Sequence, residues 1–354
     1  MCSSDLVGRD GALAQLDAAW QALRAPGAGT RLVSVVAEAG LGKARLLQHW
    51  QDSLHSDPPQ ALWLRVRARP QAERLPFSLL HDLVCEALNL PDSDSPATAR
   101  DRFTAAVAPY LADDTDSSTA EADTHVLGHL LGLNFSDSPH LRGIAQQGGQ
   151  IRQRALSTLA ELLIRLGRQQ GLPLVLLLDD LHWADTASLG FIQSLPDRNA
   201  SAPQPMLMLA LARPGLDERQ PGWATTEHDR IHLQALSLEA SKALADGLLA
   251  PLRAVADNDA VAVASLHQLL VDRAGGNPFF MEELLQTLIA QGSIQPLAAE
   301  ADTAPGNTGP RWRLQGPINP ASLPTTLNGV LQAQLDVLPA AQRLALQQAA
   351  VVGP

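Results

Sequence analysis

The chain is poor in cysteine, in lysine and in clustered positive charge. Only Cys2 and Cys85 are cysteines, which supports neither a disulfide framework nor a cysteine-rich metal site. His182 and the other histidines fall at no paired ligand spacing along the sequence, so no zinc role is expected. No apolar run reaches the roughly 18 residues that suggest a membrane span. The N-terminal MCSSDLVGRD has neither the basic flank nor the apolar stretch of a signal peptide. A cytoplasmic protein without membrane contact is the expectation. With 37 acidic against 26 basic residues the formal charge is −11, and no Lys/Arg block is present. Direct nucleic-acid binding needs basic clusters that neutralise phosphates, and a membrane-surface helix needs a basic face, so both classes are disfavoured. The 354 residues and 45% hydrophobic content suffice for two or three structural units with real cores.

Against these absences one segment stands out. Residues 32 to 46 read LVSVVAEAGLGKARL: a short apolar, β-branched run, a small-residue loop ending Gly-Lys, then a helix-like stretch. That is the layout of a phosphate-binding loop. Gly40 and Gly42 let consecutive backbone N–H groups curl around an anion, and the following helix turns its positive end toward it. Lys43 supplies a point charge for the outer phosphates. Glu38, Ala39, Gly40, Leu41, Gly42, Lys43, Ala44 and Arg45 are therefore the candidate nucleotide-binding residues. A helix that follows a flexible turn and exposes a lysine is the ordinary alternative. Against the pattern G-x-x-x-x-G-K followed by Ser or Thr, this chain has Ala37 at the first position and Ala44 at the last. A methyl group cannot coordinate Mg²⁺, so Ala44 weakens the metal site and favours nucleotide binding over hydrolysis.

A second constellation agrees. Residues 172 to 185 read LPLVLLLDDLHWAD, where the buried-strand run Leu174 to Leu178 delivers Asp179 and Asp180 to its carboxyl end. In open α/β sheets ligands bind outside the carboxyl ends of strands, so both motifs are expected at one crevice. Asp179 is the candidate Mg²⁺ ligand, and Asp180 the candidate catalytic group that polarises the attacking water. The plain alternative is a pair of aspartates that ends a strand and caps the next turn. Asp185 reads as an N-cap, and His182 and Trp183 as packing residues that orient the Asp-Asp loop.

Five apolar runs have strand character: Leu32 to Val36, Leu62 to Val66, Leu174 to Leu178, Met206 to Ala212, and a shorter one near Ile231 to Leu233. Helical patterns alternate with them, which predicts an α/β fold with a five-stranded parallel sheet and helices on both faces. A helical insertion occupies about 70–170, and within it the acidic LADDTDSSTAEADT reads as a mobile loop. The expected organisation is a core over 1–235, an all-helical unit over 236–294 with Pro278 in the first turn of its third helix, a Pro/Gly-rich loop or linker over 295–322, and a further helical unit from 323 to 354. That last unit leaves an apolar face uncompleted, which reads as a truncated product or gene fragment.

Taken in order, the motifs resemble the ATPase module of the STAND class within the AAA+ superfamily, the Orc1-like AAA ATPase domain type found in LuxR-type regulators and multidomain adenylate/guanylate cyclases. Val7-Gly8-Arg9-Asp10 resembles its GRE box, AEAGLGK its P-loop, DDLHWAD its extended Walker B, Arg213 its sensor, and Gly276-Asn277-Pro278 its lid motif. The resemblance implies a P-loop NTPase core, a helical lid over 236–294 and the start of a winged-helix unit at 323–354. It implies ATP or ADP with Mg²⁺ as ligands, Val7, Gly8, Arg9 and Pro278 near the nucleotide, and Arg213 as a catalytic sensor of the γ-phosphate on a strand inserted between the two motif-bearing strands. It further implies a switch between ADP and ATP states, an ATP-dependent oligomer, and sensor and effector domains elsewhere in a longer protein. On the residues alone, Arg213 also reads as a structural arginine at a strand end and Arg9 as a surface ion-pair partner. Two other functional classes stay open: a nucleotide-free scaffold, and a fragment of a nucleotide cyclase whose catalytic domain lies outside this chain.

Overall fold

A computed structural model describes residues 6–54, 60–91, 95–111, 117–142, 148–200, 203–225, 228–297, 311–318, 320, 323–329, 332, 335 and 339–352. Each of the five apolar runs is a strand: β1 (Thr30–Val36), β2 (Leu62–Arg67), β3 (Leu174–Asp179), β4 (Met206–Ala212) and β5 (Asp229–His232). They pair in the order β2-β3-β4-β1-β5, and every pair is parallel. As expected, β4 lies between the two strands that carry the motifs. Apolarity sets this order. Every residue of β4 and the first five of β3 are buried, whereas edge strand β5 buries only Ile231. Strands covered on both faces need such continuous Leu/Met/Val runs. The result is the α/β arrangement of a P-loop NTPase.

The chain divides into two compact units. One comprises Gly11–Ala37 and Trp50–His232 and contains the sheet. Its first helix, α1 (Asp10–Ala22), buries Leu16, Ala19 and Trp20. The next, α2 (Lys43–Ser53), ends in this unit, where Trp50 meets Trp20 and Trp63 edge-on at 6.4 and 5.8 Å and donates Nε1–H to Asp17 at 2.9 Å. The insertion is helical as expected: α3 (Ser78–Ala87), α4 (Pro96–Leu111), α5 (Ser117–Leu130), α6 (Pro139–Arg142) and α7 (Gly148–Gln170). After β3 come α8 (Thr186–Arg198), α9 (Gly215–Arg219) and α10 (Pro221–Thr225).

The expectation of a mobile acidic loop is corrected in part. Residues 112–116 lie outside the described residues, but Ser117 onward is the helix α5, which buries Ala122, Val126 and Leu127 and packs against α4 and α7. Apolar residues recurring every four or five positions outweigh the Ser/Thr/Asp composition of the first turns.

On α3, the Asp82 carboxylate, and after it Cys85 one turn along, hold the His81 imidazole protonated and push its pKa up to about 10. The folded value lies above the ordinary 6.5, so this contribution to stability is fully present below about pH 6.5 and is lost as pH rises through about 10. We expect the urea midpoint to fall less steeply between neutral pH and about pH 10 in His81→Gln than in the native chain. Parallel slopes would refute the assignment.

The second unit comprises Met1–Asp10, Glu38–His49 and Leu233–Pro354. It contains α11 (Leu238–Leu248), α12 (Ala250–Arg253), α13 (Ala260–Ala274) and α14 (Pro278–Ala290), around a core of Leu248, Leu252, Leu266, Leu270, Met281 and Leu284. Pro278 opens α14 as expected, with Asn277 as N-cap accepting from Phe280 N–H at 3.1 Å. The stretch read as a loop or linker carries structure at both ends: β6 (Ile294–Pro296) and β7 (Trp312–Leu314) pair antiparallel. Residues 298–310 between them lie outside the described residues. A last helix spans Ala340–Val352.

Candidate functional site

Because all five strands are parallel, their carboxyl ends share one rim of the sheet, where Arg67, Asp179 and the residues following Val36 and Ala212 stand. Asp179, the expected Mg²⁺ ligand, ends β3 half-buried and accepts from the Asp180 N–H at 2.9 Å. Asp180 sits at φ 50°, a left-handed conformation that aspartate tolerates at a cost of about 1 kcal/mol. Its carboxylate is held from β2: Arg67 donates Nε–H and Nη2–H to Oδ2 at 2.9 and 2.7 Å, and its Nε lies 4.0 Å from Asp179 Oδ2. Asp180 in turn, by this hydrogen bond and its charge, raises the Arg67 pKa above its ordinary value. The other Asp180 oxygen lies 4.0 Å from His182 Nδ1.

The loop that presents these carboxylates is itself pinned. Asp185 is the N-cap of α8, as expected, and its buried carboxylate accepts from Ser188 N–H at 2.9 Å, Ser188 Oγ–H at 2.6 Å and Phe77 N–H at 3.0 Å. His182 and Trp183 lie ring to ring at 5.1 Å, and Arg219 donates to the His182 carbonyl while its guanidinium lies 5.7 Å from the Trp183 ring centre. Arg213 follows β4 and is exposed, its carbonyl accepting from Leu216 N–H.

The candidate phosphate-loop segment belongs to the other unit, where four donors hold its carbonyls. The Glu38 carbonyl accepts from Lys43 Nζ at 3.2 Å, the Ala39 carbonyl from Asn277 Nδ2 at 3.2 Å, the Gly40 carbonyl from Phe279 N–H at 3.3 Å, and the Leu41 carbonyl from Arg9 Nη2 at 2.9 Å. Between these anchors φ is +82° at Gly40 and +89° at Gly42 but not positive at Leu41. Alternation of this kind curls successive N–H groups into an anion-binding concavity. Gly40 is also required by space, because a Cβ there would sit 2.7 Å from Asn277 Oδ1.

Leu41 is buried, Lys43 half-buried, and Ala44 and Arg45 exposed at the start of α2. Arg45 acts on Glu282 of α14, whose pKa burial raises and whose charged form Arg45 favours. Pro278 Cγ comes within 3.9 Å of where a Gly42 Cβ would lie. Glu38 and Ala39 are exposed.

The N-terminal candidates Val7, Gly8 and Arg9 adjoin this loop within the same unit. Arg9 is 8% exposed and forks between the Leu41 carbonyl and the Gln234 carbonyl, the latter at 2.8 Å. Burial lowers its pKa from the ordinary arginine value. Gly8 is exposed, its φ of +66° beside Ala240, and Val7 is half-buried. The surface ion pair weighed for Arg9 is therefore replaced by a buried clamp on backbone oxygens. Arg9→Ala leaves two carbonyls without their charged donor and should cost about 3 kcal/mol in urea unfolding. Arg9→Lys should recover less than half, since an ammonium lacks the planar fork; full recovery would contradict the clamp.

Three anchoring groups were not evident from the sequence. Arg67 lies 113 positions from Asp180, so nothing local connects them, and the Phe279 N–H has no side-chain signal at all. Asn277 had one: an Asn directly before a helix-opening Pro is an N-cap candidate. Its amide does the capping with oxygen and reaches the loop with nitrogen.

Comparison with known proteins gives a family. A model of the AAA ATPase domain matches residues 5–209, more than half of the chain, and no curated protein matches. Among solved structures, Cdc6p from Pyrobaculum aerophilum aligns at 16% identity and a TM-score of 0.49, covering 82% of this chain and 65% of that one. The Aeropyrum pernix Orc1 protein in complex with DNA aligns at 13% and 0.43, covering 98% and 72%, and Drosophila ORC bound to DNA at 13% and 0.41, covering 82% and 58%. The chain thus spans just under two thirds of the length of the Cdc6p chain. On its match over residues 5–209, the chain belongs to the AAA ATPase domain family.

Proposed function

We propose that the chain is an ATP- or ADP-operated regulatory switch of STAND type that turns over slowly because Ala44 lacks a hydroxyl. The observation that carries this reading is the set of four successive loop carbonyls, Glu38 to Leu41, each held by a donor from a different residue. Such anchoring supports a loop shaped for phosphate by the chain's own contacts, with Lys43 as its charge. Mg²⁺, which the family implies, fits a hard oxygen ligand; Asp179 supplies one and Ala44 does not. When bound, the ion would neutralise developing phosphate charge. Asp180 would orient the attacking water, Arg213 would sense the γ-phosphate, and Val7, Gly8, Arg9 and Pro278 would border the nucleotide.

In this reading 1–235 is the ATPase core and 236–294 the lid, 295–322 connects, and 323–354 begins a winged-helix unit. The switch logic is supported by where the loop's anchors come from. Asn277 and Phe279 belong to the proposed lid, so any nucleotide that shifts the loop backbone shifts their bonds too. Sensor and effector domains in a longer protein, an ATP-dependent oligomer and a cytoplasmic location complete the proposal. The net charge of −11 supports partners other than nucleic acid.

A ligand of the native state must raise stability, by about 2.7 kcal/mol at 100 times its Kd. Thermal unfolding of the chain with and without ATP or ADP tests the proposal. Equal midpoints at all nucleotide concentrations would contradict it and leave the scaffold reading.

A further inference from the structure

The fold brings together three side chains of metal-ligating type, one of which lies well apart from the other two in sequence. Glu121 and His125 lie one turn apart on α5, and His140 comes from α6, across the connection 131–138. His125 Nε2 is 4.0 Å from Glu121 Oε1, His140 Nε2 is 3.8 Å from Glu121 Oε2, and the three ligand atoms all lie within 4.8 Å of one another. We propose that Glu121, His125 and His140 form a binding site for a single zinc-class divalent cation, separate from the nucleotide loop.

Four features distinguish this group from a surface Glu–His pair. First, His125 is buried, at 7% exposure, and its ring lies against Phe135 at 4.7 Å, so its position is fixed. Second, its Nδ1 is 2.8 Å from Ser138 Oγ. With the proton on Nδ1 donated to that hydroxyl, Nε2 is left as the lone-pair nitrogen, which is the outer-shell arrangement metal-ligating histidines use. Third, the same Ser138 Oγ accepts from the backbone N–H of His140 at 3.2 Å, so one buried hydroxyl holds the His125 ring and the main chain that carries His140. Fourth, Arg100, the cation that acts on His125, pairs with Asp137 at 2.6 Å, which offsets its repulsion of an incoming ion.

Imidazole selects zinc, copper or nickel over magnesium or calcium. Bonds of about 2.0–2.2 Å in tetrahedral geometry place ligand atoms about 3.3–3.6 Å apart. The present spacings, 4.0 and 3.8 Å to Glu121 and within 4.8 Å overall, exceed these, so binding requires the exposed carboxylate and the two imidazoles to draw together. Two imidazoles and one carboxylate leave a fourth position for water or a partner's donor. A bound ion would tie α5 to α6. The proposal departs from the sequence-based expectation of no zinc role, because Glu121–His125 is a common helical spacing and His140 joins it only through the fold.

The test is calorimetric titration of the whole, chelator-stripped, nucleotide-free chain with zinc chloride, beside His140→Ala and Glu121→Gln. We expect one ion per chain in the native protein and at least tenfold weaker binding in each variant. Undiminished affinity in both variants, or no saturable site in the native chain, overturns the proposal. Should either variant fail to fold, the native chain still decides. Zinc should slow modification of His140 by diethyl pyrocarbonate and leave the exposed His49 unchanged. Equal rates at His140 with and without zinc would refute the site.

Discussion

Replacing Lys43 with alanine is expected to weaken ATP binding about 100-fold, equivalent to about 2.7 kcal/mol. The size follows from the proposed role: an ammonium at the start of α2 that bonded the outer phosphates would contribute about 1.5–3 kcal/mol through charge-assisted contacts. The helix dipole and the loop amides persist in the variant, so binding falls but need not vanish. Lys43 is half-buried and bonds the exposed Glu38 carbonyl, so folding stability should change by less than about 0.5 kcal/mol. Calorimetry with ATP reads the affinity, and urea unfolding reads the stability. An affinity unchanged by Lys43→Ala would remove the phosphate-loop assignment; a large stability loss would make the lysine a structural residue.

Ala44→Ser is expected to act in the opposite direction, raising Mg²⁺-dependent phosphate release at least tenfold, or about 1.4 kcal/mol of barrier. Position 44 lies in the first turn of α2 and is exposed, so the hydroxyl can be added with little strain and a propensity cost of about 0.5 kcal/mol. What it adds is a hard hydroxyl oxygen of the kind that Mg²⁺ prefers as a ligand. The gain should disappear without Mg²⁺ and in the double variant with Lys43→Ala. A native chain that already hydrolyses briskly, at a rate Ala44→Ser leaves unchanged, would contradict the account of Ala44.

The strands were legible because buried parallel strands demand continuous apolar runs, and Leu174 to Leu178 and Met206 to Ala212 satisfy that demand without ambiguity. The loop's glycines were legible for a similar reason, since positive φ at Gly40 and Gly42 restricts the residue type. The helix α5 was hidden because its first turns carry loop-like composition and only the burial of Val126 and Leu127 reveals it. The pairing of Arg67 with Asp180, and the forked bonds of Arg9, depend on chain segments that meet only after folding. A charged residue in sequence carries no mark of its partner. The same limit concealed Glu121, His125 and His140, of which only the first two are neighbours on one helix.

Lysine occurs only at positions 43 and 242, which permits one direct measurement of whether nucleotide phosphates engage the loop. Amine acylation of the intact chain, followed by peptide mass spectrometry, reports each side chain separately. With saturating ATP or ADP, Lys43 should be protected strongly while Lys242, on α11, reacts at its nucleotide-free rate. Equal reactivity of Lys43 with and without nucleotide would contradict the account at its centre.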